Sequence, residues 1–322
     1  MNDLLAGLLA ALVSTNTPSA VTNLAPAKTN LSVQIPNPND PVEKELLKLE
    51  AEDDAAVEEI EKMSDAAGAA GAAGEPRAQT TLRVHIKERL AAVKADYDQF
   101  LLYHPDYARA HLAYGSFLNQ SGDSEGALAQ WEKAGQLAPN NPAVWNNLGN
   151  YYAEPEHNAR KALEYYSKAI SLDPGQSLYY HNLAVCVYMF RDYAEEYWQI
   201  SEQETYDLSL KLYRKAMKLD PDNFILASDY AECFYGIRPL RLEEGLAAWN
   251  QCLTIAHDEV EREGVYLHLA RLQLALNHFD ESQRALDVVT NKIYFVLKTN
   301  LSRNLKLAMQ RAATNAPAPP AP

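Results

Sequence analysis

Glu154-Pro155-Glu156-His157 brings two carboxylates and an imidazole into one tetrapeptide. Those are the groups of a general acid–base pair, provided a rigid element holds them at proton-transfer distance. Proline makes the stretch a turn, so the groups read as solvated rather than preorganised. Cys186, Cys233 and Cys252 could supply a thiolate nucleophile or metal ligands, yet their spacings of 47 and 19 residues fit neither a zinc site nor a disulfide framework. They read as small buried hydrophobes in a reducing compartment. His85, His111, His181 and His268 stand at helical positions of separate segments, where a packed or surface-lining imidazole is commoner than a ligand. The sequence has no phosphate-binding glycine loop, dinucleotide glycine pattern, paired-histidine zinc helix or nucleophile elbow. The expectation is a non-enzyme with no catalytic residues, no metal site and no cofactor.

The chain that must position these groups has 322 residues, 29 Lys+Arg against 43 Asp+Glu, and a formal charge of -14. With 47% of residues apolar and 22% charged it can build a core. The acidic excess repels phosphate backbones and no basic run reaches five residues, so nucleic acid is not an expected partner. No apolar stretch reaches the roughly 18 residues of a membrane span.

Four prolines in short polar turns, Pro105, Pro139, Pro174 and Pro221, lie 34, 35 and 47 residues apart, which is a repeat signal. Eight residues before each stands an aromatic: Tyr97, Trp131, Tyr166 and Tyr213. Five before three of them stands an alanine: Ala134, Ala169 and Ala216. Upstream, a bulky residue precedes a small one at Tyr114-Gly115, Leu148-Gly149, Leu183-Ala184, Tyr230-Ala231 and Leu269-Ala270. Two helices of a hairpin approach closely only where one lacks a large side chain. The aromatic is expected to fill space beside the first helix of the next unit.

These residues resemble the tetratricopeptide repeat family, a 34-residue helix-turn-helix with a large-small pair, an alanine and aromatic in the second helix, and a closing proline. The best unit is Pro142 to Pro174, with Trp145, Leu148, Gly149, Tyr152, Ala162, Tyr166, Ala169 and Pro174 in place and one extra residue near Glu156. The resemblance implies an all-α, right-handed superhelical solenoid of about five units. It also implies a non-enzymatic protein–protein interaction scaffold that holds a peptide or partner protein in a concave groove lined by the first helices. The alternative is an exported envelope assembly or anchoring factor on the same scaffold.

By that resemblance, positions beside the large-small pair face the groove: Asn146, Asn147 and Asn150, then His181 and Asn182, Asp229 and Glu232, and His268 and Arg271. Asparagine offers donors and acceptors, so a ladder of them suits an extended peptide backbone; solvated polar positions of a helical array would read the same way. Asn146, Asn150 and Asn182 match members of a carboxylate clamp known in relatives, but its basic positions fall on Ile225 and Asp229, which speaks against a clamp. Between Met189 and Thr205 the third unit has about 13 extra residues. Tyr193, Tyr197 and Trp198 there are either a partner hot spot or aromatics packed back over the next unit.

The expected divisions are residues 1–40, a short apolar segment and linker; 41–65, an acidic amphipathic helix; 66–79, an Ala/Gly linker; 80–288, the repeats; 289–311, a basic capping helix; and 312–322, a disordered Ala/Pro tail. Residues 4–13 are either signal-like or a docked helix, so the expected location is cytoplasmic, or exported if residues 1–20 act as a signal peptide. Residues 41–65 carry ten acids and three bases. Val42, Leu46, Leu49, Asp53, Ala56, Ile60 and Met63 form one stripe, too short for a firm coiled coil and interrupted by Asp53. The simplest expectation lays this helix on the body with its acids in water. Thr81–His104 looks like a second helix lacking its first. After Asp287 there are no acids, while Lys292, Lys298, Arg303, Lys306 and Arg311 are basic. The acidic and basic helices could therefore self-associate, or the basic one could lie on an anionic membrane.

Overall fold

The computed structural model describes residues 37, 39–69, 76–154 and 157–315. Residues 1–36, with their signal-like segment, lie outside it, as do Pro155 and Glu156 of the acid–imidazole turn and residues 316–322 of the tail. The described residues form fourteen α-helices and no strand. They divide into two units, Lys28–Pro174 and Gly175–Pro322.

The Lys28–Pro174 unit contains α1 (Pro41–Ala69), α2 (Pro76–Tyr103), α3 (Ala108–Gln120), α4 (Ser124–Leu137), α5 (Pro142–Tyr152) and α6 (Ala159–Leu172). They pair in order as three hairpins. The polar turns start the helices. Asp123 Oδ1 accepts from the Gly126 N–H at 2.9 Å, and Asn141 Oδ1 from the Ala143 N–H at 3.0 Å just before Pro142. Each satisfies an amide that has no partner inside the helix.

The hairpins close on glycine. A Cβ on Gly115 would lie 2.5 Å from the Trp131 ring, and one on Gly149 would lie 2.6 Å from the Tyr166 ring. These two aromatics therefore fill space beside the first helix of their own hairpin, not the next one as the spacing suggested. Tyr97 does reach forward, stacking on Tyr114 with ring centroids 4.8 Å apart. The helix axes can approach only where the small residue removes a side chain, and a bulky ring then fills the whole gap.

The acidic segment supplies the first helix that Thr81–His104 lacked. Helix α1 runs antiparallel to α2 and buries Leu46 and Ala56 completely, with Val42 and Leu49 packed beside them. Its acids are not all in water. Arg89 donates to Glu52 (2.7 Å) and Glu59 (3.0 Å), and Tyr97 OH donates to Asp53 at 3.1 Å. Arg109 of α3 and Tyr107 just before that helix both donate to the buried Glu43, and Arg109 also reaches Glu50 at 2.5 Å. Asp53, which seemed to interrupt the apolar stripe, is thus a hydrogen-bond acceptor within the seam. The helix extends past the expected boundary, to Ala69, and α2 begins at Pro76.

The Gly175–Pro322 unit contains α7 (Ser177–Met189), α8 (Arg191–Trp198), α9 (Glu202–Leu219), α10 (Phe224–Gly236), α11 (Leu242–Ile255), α12 (Glu259–Ala275), α13 (Phe279–Val288) and α14 (Phe295–Asn315). Helix α7 pairs with α9, α10 with α11 and α12 with α13, and α14 packs on the last pair. The extra residues of the third repeat are α8, which ends at Gln199 with a left-handed φ of 54°. Ser201 and Glu204 then restart the chain through a reciprocal capping box. Helix α14 covers the end of the array with Leu301 and Leu305. It continues to Asn315, so residues 312–315, expected in the tail, are helical.

Candidate functional site

In the Lys28–Pro174 unit the expected asparagine ladder is largely enclosed. Asn146 is 0% exposed and Asn147 6%. Asn147 Nδ2 donates to Ser116 Oγ of α3 at 3.2 Å, and Asn150 Oδ1 accepts from Tyr166 OH of α6 at 2.8 Å. These amides tie α5 to its neighbours on both sides, and Asn146 offers a partner no surface. A polar group buried among apolar neighbours must find its hydrogen bonds inside the protein, and here the adjacent helices provide them.

The imidazoles of this unit are also held in place. His111 makes close contacts with Gln130 Oε1 (2.6 Å) and the Pro105 carbonyl (2.9 Å). His157 stacks on Tyr151 with its Nδ1 2.6 Å from the Tyr151 carbonyl. That anchoring leaves the acid–imidazole turn with a fixed ring rather than a freely solvated one.

In the Gly175–Pro322 unit the first helices α7, α10 and α12 bring polar and charged side chains together. His181 Nε2 donates to Asp229 Oδ2 at 2.8 Å, with side-chain exposures of 20% and 13%. Asn182 is half-buried beside His181 on the same helix. One turn beyond Asp229, Glu232 is half-buried, and its carboxyl is pushed up to about 7 by burial and by the charge of Asp229, with Arg271 pulling the other way. The Arg271 guanidinium lies over the Tyr235 ring, 4.3 Å from its centroid. His268 stacks on Trp249 with centroids 3.8 Å apart and planes within 8°. Burial and the nearby Arg271 push His268 down to about 3, so the ring is neutral and its Nδ1 accepts from Tyr235 OH at 2.9 Å.

Of the residues singled out in the sequence, His181 and Asp229 are thus in direct contact, Glu232 and Arg271 are electrostatically coupled, and His268 joins them through Tyr235. Tyr235 and Trp249 were missed. Trp249 sits in a unit without the closing proline, so the aromatic-to-proline count gave it no mark. Arg109, the buried partner of the acidic helix, was missed because its partner Glu43 lies 66 residues away. In the inserted helix Tyr193 is 52% exposed, while Tyr197 and Trp198 are half-buried and pack edge to face at 4.8 Å.

The clamp positions carry no cation. Ile225 is exposed, and Asp229 is engaged by His181. The three thiols are buried. Cys186 and Cys252 are pushed up to about 12 by burial, and Cys233 is also raised, so they keep their protons and are poor nucleophiles at neutral pH. Among the described residues no group of three or more His, Cys, Asp or Glu could hold a metal ion, and no helix is long and apolar enough to cross a membrane.

Two family models match the chain: "TPR repeat" over residues 115–154 and "Tetratricopeptide repeat" over residues 142–176. No curated protein matches. Among solved structures, PilW, a widely conserved type IV pilus biogenesis factor, aligns over 72% of this chain and 96% of its own at 13% identity and a TM-score of 0.51. That likeness shows the fold alone. PilF of Pseudomonas aeruginosa aligns over 74% of this chain and 95% of its own at 16% identity and a TM-score of 0.48. YrrB, a TPR protein with an unusual peptide-binding site, aligns over 67% of this chain and 97% of its own at 14% identity and a TM-score of 0.47. With two overlapping repeat matches set in consecutive helical hairpins, each pinned by its large-small pair, residues 115–176 are tetratricopeptide repeats within an all-helical repeat array.

Proposed function

We propose that this protein-interaction scaffold binds an extended peptide, or an extended segment of a partner protein, along α7, α10 and α12. Asn182, His181, Asp229, Glu232, Arg271 and His268 form the binding row. One observation carries the reading: consecutive first helices present half-buried, mutually coupled charges where simple packing would use apolar residues. Such groups are costly to bury unless each has partners, and a peptide backbone with polar side chains can supply further ones. In the other unit Asn146, Asn147 and Asn150 act as hydrogen-bonded supports among their own helices.

The scaffold reading needs no chemistry of its own from the chain. Photo-crosslinking tests it. A photoreactive residue replacing the exposed Ile225, one turn before Asp229 on α10, is expected to capture a partner in the source cells. The same residue replacing the exposed Lys211 on the second helix α9 is expected to capture none. Equal capture at both positions would remove the first-helix face from the proposal.

A further inference from the structure

We propose that the outward side of α14 docks on an anionic lipid surface. The helix has two sides with different tasks. Leu301 and Leu305 are buried against the body, and Leu297 packs partly beneath them. Among the described residues nothing lies over the other side. Phe295 is 69% exposed and Val296 65%, Ile293 in the preceding 3-10 turn is exposed as well, and Leu307 and Met309 continue the apolar character. Val296, Arg303, Lys306 and Leu307 follow the spacing that places residues on one helix side.

Charge complementarity selects the occupant. The chain as a whole carries -14, yet everything after Asp287 is free of acids and holds five cations. Lys292, Arg303, Lys306 and Arg311 are exposed, and among the described residues none of the four has a carboxylate within ion-pairing distance. A solvated cap on a strongly acidic protein needs neither unpaired cations nor three large apolar side chains within four residues. Both are what an interfacial helix uses: basic groups for lipid phosphates and carboxylates, apolar groups for the acyl boundary. Arg303, Lys306 and Arg311 are spread along a helix roughly 30 Å long, and Lys292 stands in the turn just before it. That layout fits a broad planar charge sheet better than the groove of a protein, which would need its own matching concavity.

The test is flotation of the full chain with vesicles of phosphatidylcholine alone and of phosphatidylcholine mixed with phosphatidylserine. The chain should float only with the mixed vesicles, and added salt should reduce the bound fraction. Arg303→Gln with Lys306→Gln should weaken partitioning roughly thirtyfold, two cations' worth. Phe295→Ser with Val296→Ser should weaken it too, with the helical circular dichroism unchanged. Because the replaced side chains are exposed, the glutamine variant keeps its fold and reads the charge contribution alone. Failure of the wild-type chain to float with the mixed vesicles would overturn the proposal, even if an acidic amphipathic peptide bound the same side. Equal flotation with both vesicle types, or no change in either variant, would overturn it as well. The outcome is independent of the peptide row on α7, α10 and α12.

Discussion

His181 on α7 and Asp229 on α10 are joined by a 2.8 Å hydrogen bond that links the first helix of one hairpin to the first helix of the next. The pair is largely shielded, so Asp229 depends on the imidazole for compensation. His181→Ala should lower the urea-unfolding free energy by about 1–3 kcal/mol. His181→Gln, which retains a donor, should recover part of that loss; identical losses in both variants would mean that ring packing against Tyr213, not the hydrogen bond, is what matters.

Gly149→Ala sets two effects against each other. Alanine improves helix propensity by up to about 1 kcal/mol, but its Cβ would lie 2.6 Å from the Tyr166 ring. Overpacking a closed interface costs about 1–3 kcal/mol, so the clash should win. A lower thermal midpoint is expected, and partial recovery when Tyr166→Leu is added. A gain in stability from Gly149→Ala alone would show that the hairpin relaxes freely there.

Much of this was legible because it is local. The large-small pairs and aromatic spacings found the hairpins at Gly115–Trp131 and Gly149–Tyr166. The missing first helix was not legible: α1 pairs with α2 across a gap with no repeat spacing, and its acids are matched by Arg89 and Arg109, cations that no local pattern marks. The asparagines failed as an open ladder for a related reason. Sequence position gives the helix side, but whether Asn146 is open or covered depends on neighbouring helices. In Gly175–Pro322 the polar residues His181, Asp229, Glu232 and Arg271 recur on successive first helices, and the contacts that join them depend on how those helices pack.

Arg109 should be the residue on which α1 depends most. Removing it leaves Glu43, 1% exposed, and its neighbour Glu50 without their shared guanidinium. Breaking a buried pair from one side costs about 3–5 kcal/mol. For Arg109→Met, hydrogen exchange should report lost protection in α1 with α5 and α6 unaffected. Full protection of α1 would show that Leu46 and Ala56 suffice to hold it.

The same helix sets a pH dependence. Burial, with Asp53 and Asp54 nearby, pushes Glu50 up to about 7, and burial pushes Asp53 up to about 6 against the hydrogen bond from Tyr97. Arg109 opposes the rise at Glu50 but is shared with Glu43. Carboxyls with raised folded values bind more protons folded than unfolded. Stability should therefore fall as pH rises from about 4 to about 7 and level off above. Urea midpoints across that window should flatten in Glu50→Gln with Asp53→Asn. An unchanged slope would place the titration elsewhere.

The binding row is tested most directly by affinity for the partner captured at Ile225. With purified components, Glu232→Gln combined with Arg271→Gln should weaken the dissociation constant at least tenfold, about 1.4 kcal/mol, while the circular dichroism and thermal midpoint stay close to wild type. Equal affinity in the folded double variant would contradict the assignment of the row to partner binding.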